Sequence, residues 1–598
     1  MAGTQRVDDA AGVAGSQVTQ SVIHNRLVMI CREMGIAMMK TSYSTIFNEG
    51  LDFSCVIFNR DGEMIAQAEF CPAQLGAILY TVRWAIDEYG LENFDPDDVL
   101  IHNDPYRGGC HMPEHTIIKP VYFDDELFGF VANIGHVAEI GGMAPGSFAA
   151  TATEVYQEGL RLPLVKIMRR GEYVQDIWKI ILANHRTPRH TWGDFHAMIG
   201  SLHIAERRLH ELLDQYGVPV INEACTALMD HAERWMREEI RQIPNGEYSF
   251  EDCVEDDGAT SDPSWIRVTM VVRDDEIIAD FSESDPQAKG IVNATYGVTA
   301  SATYNALFHV TDNEIPHNSG CYRPIKIIAP PGTVMNVQHP APSVGGNTET
   351  HPRIVDIILG ALSKVIPERV AAAEGGTSCN FLFGGHHPET EQYYVVYSFE
   401  GGGWGARHYK DGNNVVVVPN GNCRNTPVEV FETRYPWLTH AYGLVPDSAG
   451  PGEFRGGLGA RRLLEVVAPA EITVSAVFER MQVNPWGLLG GGEATTSAIL
   501  VQKQGDDRFR TFSEVYGTVS AAKFANCVVG PGDRILIQSP GGGGYGPAAR
   551  REPQLVLEDV EQGFISERAA REVYRVAVER DGSRYGVDEA ATAGLRGE

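Results

Sequence analysis

The sequence predicts an α+β protein of several lobes, a mixed α/β lobe first and a β-rich part packed on it. Three observations lead there. Before residue 245, apolar residues recur at helical spacing in four long stretches, broken by two hairpin-like alternations. From 246 the pattern shifts towards strands. Between 370 and 546 the chain is rich in glycine and its apolar runs are short.

The 598 residues are 43% hydrophobic and 21% charged, a composition that buries a sizeable core. The net charge of −30 excludes nucleic acid and an anionic membrane as main partners. No run of about 18 uncharged apolar residues occurs, so no transmembrane helix is expected. The opening MAGTQRVDDAAGVAGSQ has no apolar segment of the signal-peptide kind. Ten cysteines lie scattered without a C-x-x-C pair, which reads as reduced thiols in the cytoplasm.

In order, residues 1–16 are small and polar, a loose tail. A helix is expected over 17–39, with Val22, Ile23, Leu27, Ile30 and Met34 on one stripe. Residues 54–59 and 64–67 form a hairpin across Arg60-Asp61-Gly62-Glu63, with Glu49 and Asp52 just before it. Helices follow over 75–89, 193–216 and 221–242. Pro244-Asn245-Gly246 is a turn and the first lobe boundary, so the metal-site lobe spans 17–245. A middle α/β lobe, 246–369, has a hairpin over 265–281, a helix over 295–310 and a strand at 325–328. The glycine-rich β lobe, 370–546, has strands at 393–399, 415–418, 472–478, 498–502 and 534–538. A helical tail occupies 547–598, with its helix at 566–579.

The stretch 101–147 organises the chain. It holds two His-x-x-acid units, His111-x-x-Glu114 and His136-x-x-Glu139. Between them two apolar runs, 116–123 and 127–134, are split by Asp124-Asp125-Glu126. A hairpin there brings His111 and His136 together, and two imidazoles with nearby carboxylates suit a divalent metal. The competing reading is a pair of hydrogen-bonded strand-end histidines. Asp52, on its residues alone, is a turn aspartate at a strand entry.

Gly345-Gly346-Asn347-Thr348-Glu349-Thr350 precedes a helix with apolar positions 354, 357, 358, 361, 362 and 365. Asn347 and Thr350 either seat a phosphate or carboxylate there or cap the helix. Gly401-Gly402-Gly403, Gly490-Gly491-Gly492 and residues 541–544 do not continue as a P-loop and read as turns. Ser520-x-x-Lys523 lacks the companion motifs of a serine nucleophile and reads as surface. His386-His387 reads as an exposed loop.

HNDPYRGGCHMPEHT, followed by GHVAEIGGMAPGS, resembles the metal-binding region of the hydantoinase B/5-oxoprolinase family. Further motifs stand in the family's order: Glu49-x-x-Asp-Phe-Ser, Gly346-Asn347-Thr348-Glu349-Thr350, Pro427-Val428-Glu429, Pro446-Asp447-Ser448 with Phe454-Arg455-Gly456-Gly457-Leu458-Gly459, and Pro540-Gly541-Gly542-Gly543-Gly544-Tyr545-Gly546. The resemblance implies that Asp52, His111, Glu114 and His136 hold zinc, manganese or iron, with Glu49 and Glu139 nearby as acid/base or supporting groups. It implies a subunit of an ATP-dependent hydrolase of hydantoins, oxoproline or lactams. A hydantoinase A-type partner, absent from this chain, would use ATP and magnesium to phosphorylate the substrate, and the two would form a hetero-oligomer. A ketone carboxylase subunit of the same family is the second reading, and a non-catalytic scaffold the third. Three positions depart from the family pattern. Gln74 stands where relatives carry histidine, and Glu114 and Glu139 where they carry aspartate.

Overall fold

The structure, a computed structural model, describes residues 17–467, 469–581 and 584–597. The tail expected at 1–16 lies outside them.

A seven-stranded sheet lies at the centre of the first lobe. Its order is β2-β1-β5-β4-β3-β6-β7, with β1 (Phe53–Asn59), β2 (Met64–Gln67), β3 (Val99–His102), β4 (Glu114–Phe123), β5 (Glu126–His136), β6 (Val165–Arg169) and β7 (Glu172–Tyr173). The central strands are apolar on both faces because both faces are covered. Cys55, Ile57, Ile117 and Val131 pack on one side with α1 (Gln17–Thr41) and α3 (Pro188–Tyr216). Val56, Phe58, Ile118 and Phe130 pack on the other with α2 (Pro72–Tyr89). On α1 the buried stripe is Ile23, Leu27, Ile30 and Met34, while Val22, expected on it, is 39% exposed.

The β4–β5 hairpin closes through Asp124 and Asp125, both left-handed at φ 51° and 64°. Two consecutive left-handed residues match the twist of the flanking strands.

After α4 (Val218–Arg241), the turn at 244–246 opens a second sheet, β11-β10-β9-β8, built from β8 (Gly246–Val254), β9 (Ser264–Arg273), β10 (Glu276–Asp280) and β11 (Ile325–Ile328). The interior does not divide at this turn. One apolar cluster runs from Val56 through Val370. Its hub is α5 (Tyr296–Phe308), which packs on α2 and on α6 (His351–Leu362).

The glycine-rich part holds a four-stranded sheet, β13-β12-β16-β19, and a five-stranded one, β14-β15-β20-β17-β18. The strands are β12 (Asn380–His386), β13 (Tyr393–Ser398), β14 (Trp437–Leu444), β15 (Ala460–Val466), β16 (Ile472–Val477), β17 (Ala498–Gln502), β18 (Arg510–Thr511), β19 (Lys523–Val529) and β20 (Arg534–Gln538). The strand expected at 415–418 is absent; that stretch makes only an isolated bridge, Gly402 to Val416. The expected helix over 566–579 is Glu567–Glu572, followed by a hairpin of Val578–Asp581 and Arg584–Val587.

Two further expectations are corrected. Of the three glycine runs read as turns, 490–492 is one, with Gly490 exposed at φ 92° and Gly491 N donating to Leu488 O, but 401–403 and 541–544 are not. Residues 541–546 are buried, and extended segments lock together backbone to backbone. Gly403 N donates to Pro540 O (2.9 Å), Gly542 N to Gly457 O (2.9 Å), Gly543 N to Ala373 O (2.8 Å) and Gly544 N to Gly492 O (3.0 Å). A Cβ on Gly542 would stand 2.2 Å from the Trp404 carbonyl, so the approach itself requires glycine. Nor is Ser520-x-x-Lys523 on the surface. Lys523 is wholly buried, paired with Glu479 and 3.6 Å from Asp256, whose other oxygen accepts from Ser520 Oγ. Arg353 and Arg480, also fully buried, extend this network to Asp252, Asp356 and Glu479. It joins the middle lobe to the β-rich lobe.

Candidate metal centre

Strand register builds the site. Glu114 and His136 are directly paired at the open end of the β4–β5 hairpin. On the other side of β5, Phe53 pairs with Gly135, and His136 N donates to Asp52 O (3.0 Å). Glu114, His136 and Asp52 thus stand side by side at one end of three adjacent strands. Paired positions point to the same face. His111 joins through the tight turn before β4, where Glu114 N donates to His111 O.

The ligand atoms of His111, Glu114 and His136 lie within 4.8 Å of one another, and all three residues are buried. Two ligands on one zinc, each about 2.0–2.2 Å from it, are at most about 4 Å apart, so small shifts close the set. His111 Nδ1 meets Val344 O at 2.8 Å. That contact fixes the tautomer and leaves Nε2 free to ligate. Asp52 Oδ2 stands 4.0 Å from His136 Nδ1.

Three atoms mark the fit to a cation. His111 Nε2, Glu114 Oε2 and His136 Nε2 are buried and have no hydrogen-bond partner. Each such orphan costs about 1–3 kcal/mol, and His111, Glu114 and His136 each carry one on the wall of a single cavity. Two imidazoles with carboxylates form a donor set for zinc, manganese or iron.

Gln74 ties the carboxylates together. Its Nε2 donates to Asp52 Oδ1 (2.8 Å) and Glu114 Oε1 (3.1 Å), and its Oε1 accepts from Ser54 Oγ (2.8 Å). Burial, with Glu114 nearby, pushes the Asp52 carboxyl up to about 7. Burial acts most strongly, to raise Glu114, but the His111 imidazole together with hydrogen bonds from Cys110 and Gln74 outweighs it and the net shift is downward. Burial holds His136 far below the usual histidine range, hence neutral and able to ligate. Its ring stacks on Tyr397 at 4.4 Å, and Tyr397 Oη donates to Asn380 Oδ1.

The remaining expected residues divide. Asn347 belongs to the site: it lines the cavity and its Nδ2 donates to Glu114 Oε1 (3.2 Å). Thr350 does not line it. The helical path already begins at Gly346, as a π-turn running into α6, and Thr350 Oγ1 donates to Val292 O. The helix N-terminus therefore lies at Gly346, ahead of Thr350. Glu139 pairs with Arg186 (2.9 Å) and accepts from Gly141 N and Gly146 N, bracing the loop that follows β5. Glu49 is half-buried after the short helix Thr45–Asn48. Neither Glu49 nor Glu139 lines the cavity. Sequence reasoning missed Cys71, Cys423, Asn420 and Tyr397, which do. They come from distant segments with no common spacing.

The cavity itself is about 30 Å³, room for a water or a bare ion rather than a ring substrate. Val417 and Gly421 also line a neighbouring pocket of about 430 Å³ with Phe70, Tyr304, Phe308 and Trp404 in its wall.

The family described as hydantoinase B/oxoprolinase matches residues 16–548. The chain belongs to the hydantoinase B/oxoprolinase family. It is a family of enzymes. The chain is 34% identical to caprolactamase subunit beta of Pseudomonas jessenii over 584 residues, covering 96% of this chain and 98% of that one. It is 36% identical to an uncharacterised protein of Methanocaldococcus jannaschii over 587 residues, 97% of this chain and all of that one. The crystal structure of the ATP-dependent caprolactamase from P. jessenii superposes with a TM-score of 0.89 at 32% identity, over 98% of this chain and 100% of that chain. Nucleotide-free acetone carboxylase shares the fold, with a TM-score of 0.89 at 21% identity, over 98% and 83% of the two chains. The α+β architecture is thus that of the family. Among the described residues no helix is long and apolar enough to cross a membrane.

Proposed function

We propose that this chain is the metal-dependent catalytic subunit of an ATP-dependent hydrolase of cyclic amides or imides of the hydantoin, oxoproline or lactam type. The substrate reaches it already phosphorylated by a partner subunit that binds ATP and magnesium. The observation that carries this is one small cavity lined by His111, Glu114 and His136, each with a buried ligand atom that lacks a partner, in a chain whose fold matches an ATP-dependent caprolactamase. Assembly with the partner would take place in the cytoplasm, in keeping with ten unpaired cysteines.

Asp52, His111, Glu114 and His136 would hold the ion, which when bound acidifies a water and polarises a carbonyl. Gln74 and Asn347 donate to Glu114 Oε1 and hold that carboxylate in place beside His111. Phe148 and Tyr397 cover His136 and keep bulk water from it. The pocket behind Val417 and Gly421 has the size for a small ring, and movement of that wall would admit the reacting bond. Glu139 acts by holding the loop ahead of Phe148 through Arg186.

Two outcomes test the reading. Alone, the chain is expected to hydrolyse no ATP and turn over no substrate; robust ATPase activity of the isolated chain would overturn the division of labour. Co-expressed with its ATP-binding partner, it should open hydantoins or lactams independently of bicarbonate. Bicarbonate-dependent consumption of a ketone would instead place it in the carboxylase branch, and inactivity with a metal-free site would leave a scaffold.

Metal uptake should also follow pH. Asp52 must lose its proton to ligate, and in the metal-free protein it holds that proton below about pH 7. His111 must also be deprotonated, and although burial lowers its imidazole, Glu114 and the Val344 carbonyl raise it on balance. Apparent affinity is therefore expected to weaken as pH falls through 7, by up to about tenfold per unit for each proton released. Competition titrations with a zinc chelator at pH 8, 7 and 6 measure this.

A further inference from the structure

The same cavity has a second wall that the proposed function does not use. Cys71, immediately before α2, and Cys423, in the loop before Pro427, bring their sulfurs to 3.5 Å. Cys71 Sγ also lies 3.5 Å from Asp52 Oδ1. The ligand atoms of Asp52, Cys71 and Cys423 fall within 4.8 Å of one another. Asn420 Oδ1, buried and without a hydrogen-bond partner, lines the same wall.

These distances match a tetrahedral ion. With metal–sulfur bonds of about 2.3 Å, two sulfurs on one zinc stand roughly 3.8 Å apart, and a sulfur and a carboxylate oxygen roughly 3.6 Å. Asp52 is placed to serve both walls. Its Oδ2 faces His136 and its Oδ1 faces Cys71. We propose that Cys71, Cys423 and Asp52 Oδ1 form a second, softer cation site, selective for zinc or another thiolate-binding ion, with Asp52 bridging to the histidine site. The proposal rests on the functional reading only through Asp52.

The chemistry balances. Each thiol gives its proton to solvent when the ion binds, and Asp52 gives up its own where it still holds one, so two to three protons leave for one divalent cation. Two thiolates neutralise that cation, which suits a buried position, and the Asp52 charge is shared with the histidine site. Thiolate ligands also separate the two sites by softness: sulfur favours zinc over manganese, whereas imidazole and carboxylate accept either.

Metal counting tests the proposal without any assay of activity. Purified protein is loaded with zinc, desalted and weighed by native mass spectrometry. Two zinc ions per chain are expected in the wild type, one in Cys423→Ser and one in His136→Ala. Cys71→Ser repeats the first substitution from the other side should Cys423→Ser fail to fold. Loading with cadmium should give a thiolate charge-transfer band in the wild type and in His136→Ala, and none in Cys423→Ser. One zinc in both wild type and Cys423→Ser, or a Cys71–Cys423 disulfide in the purified protein, overturns the second site. Loss of zinc in Cys423→Ser with none lost in His136→Ala supports the cysteine site and overturns the histidine site instead.

Discussion

His136→Ala is expected to remove the ion held by the histidines and to lower turnover of the assembled enzyme by about a thousandfold or more, with the fold intact. A metal ion stabilises developing charge by several kcal/mol, and each 1.36 kcal/mol is a factor of about ten. Within the cluster, His136 is paired with Glu114 across the sheet and bonded through its backbone to Asp52. Losing its ring therefore breaks the set at its centre. The cores on either face of the sheet do not depend on it. The backbone bonds of β5 remain, and the lost stack on Tyr397 is one contact among many. Metal analysis beside circular dichroism reads the outcome. Unchanged metal with unchanged activity would mean that the site lies elsewhere.

That site was legible where it rests on local pattern. His111, Glu114 and His136 flank one hairpin, and a hairpin is written in alternating residues and a turn. Asp52 was legible only by resemblance, because its place beside His136 follows from the pairing of β1 with β5, and register between separate hairpins leaves no mark in the spacing. Cys71 and Cys423 meet only through the packing of the third lobe on the first. Thr350 lies off the cavity for a different reason. A glycine-led polar loop looks like a helix approach, but here it is itself wound as a π-turn. The β-rich lobe was read in outline, and β12, β14, β15, β19 and the two-residue β18 were missed. Apolar runs in the first four are short and are interrupted by polar or glycine residues: Gly384-Gly385 in β12, Thr439-His440 and Gly443 in β14, Arg461-Arg462 in β15 and Asn526 in β19.

Lys523→Ala is expected to cost about 3–5 kcal/mol of stability, the range for breaking a buried ion pair. Lys523 is the cation beside Glu479 and Asp256, and Glu349 lies in the same region with an unpartnered Oε2. Removing it leaves carboxylates buried with less positive charge than they need. The exposed pair Arg32–Glu69 is the control: Glu69→Gln should change stability by less than about 1 kcal/mol, because water already screens that pair. Urea midpoints compare the two. A small shift for Lys523→Ala would mean that the network relaxes around its loss, by protonation or by admitting water.

The interlocked glycine segments carry a consequence for how the chain reaches its native state. Free glycine chain has the most conformational freedom to lose, and these segments bring no side chains to drive collapse. Their bonds run from Ala373, Gly403 and Gly457 to Pro540, Gly542 and Gly543, partners far apart in the chain. Such contacts form slowly, since long loops must close before any bond repays them. The segments therefore cannot nucleate folding. They set last, after the flanking sheets have fixed their ends, like a keystone course laid once the arch stands. Residues 401–403 run on through the stretch that holds Asn420 and Cys423, so the cysteine wall of the cavity is completed only at that final step.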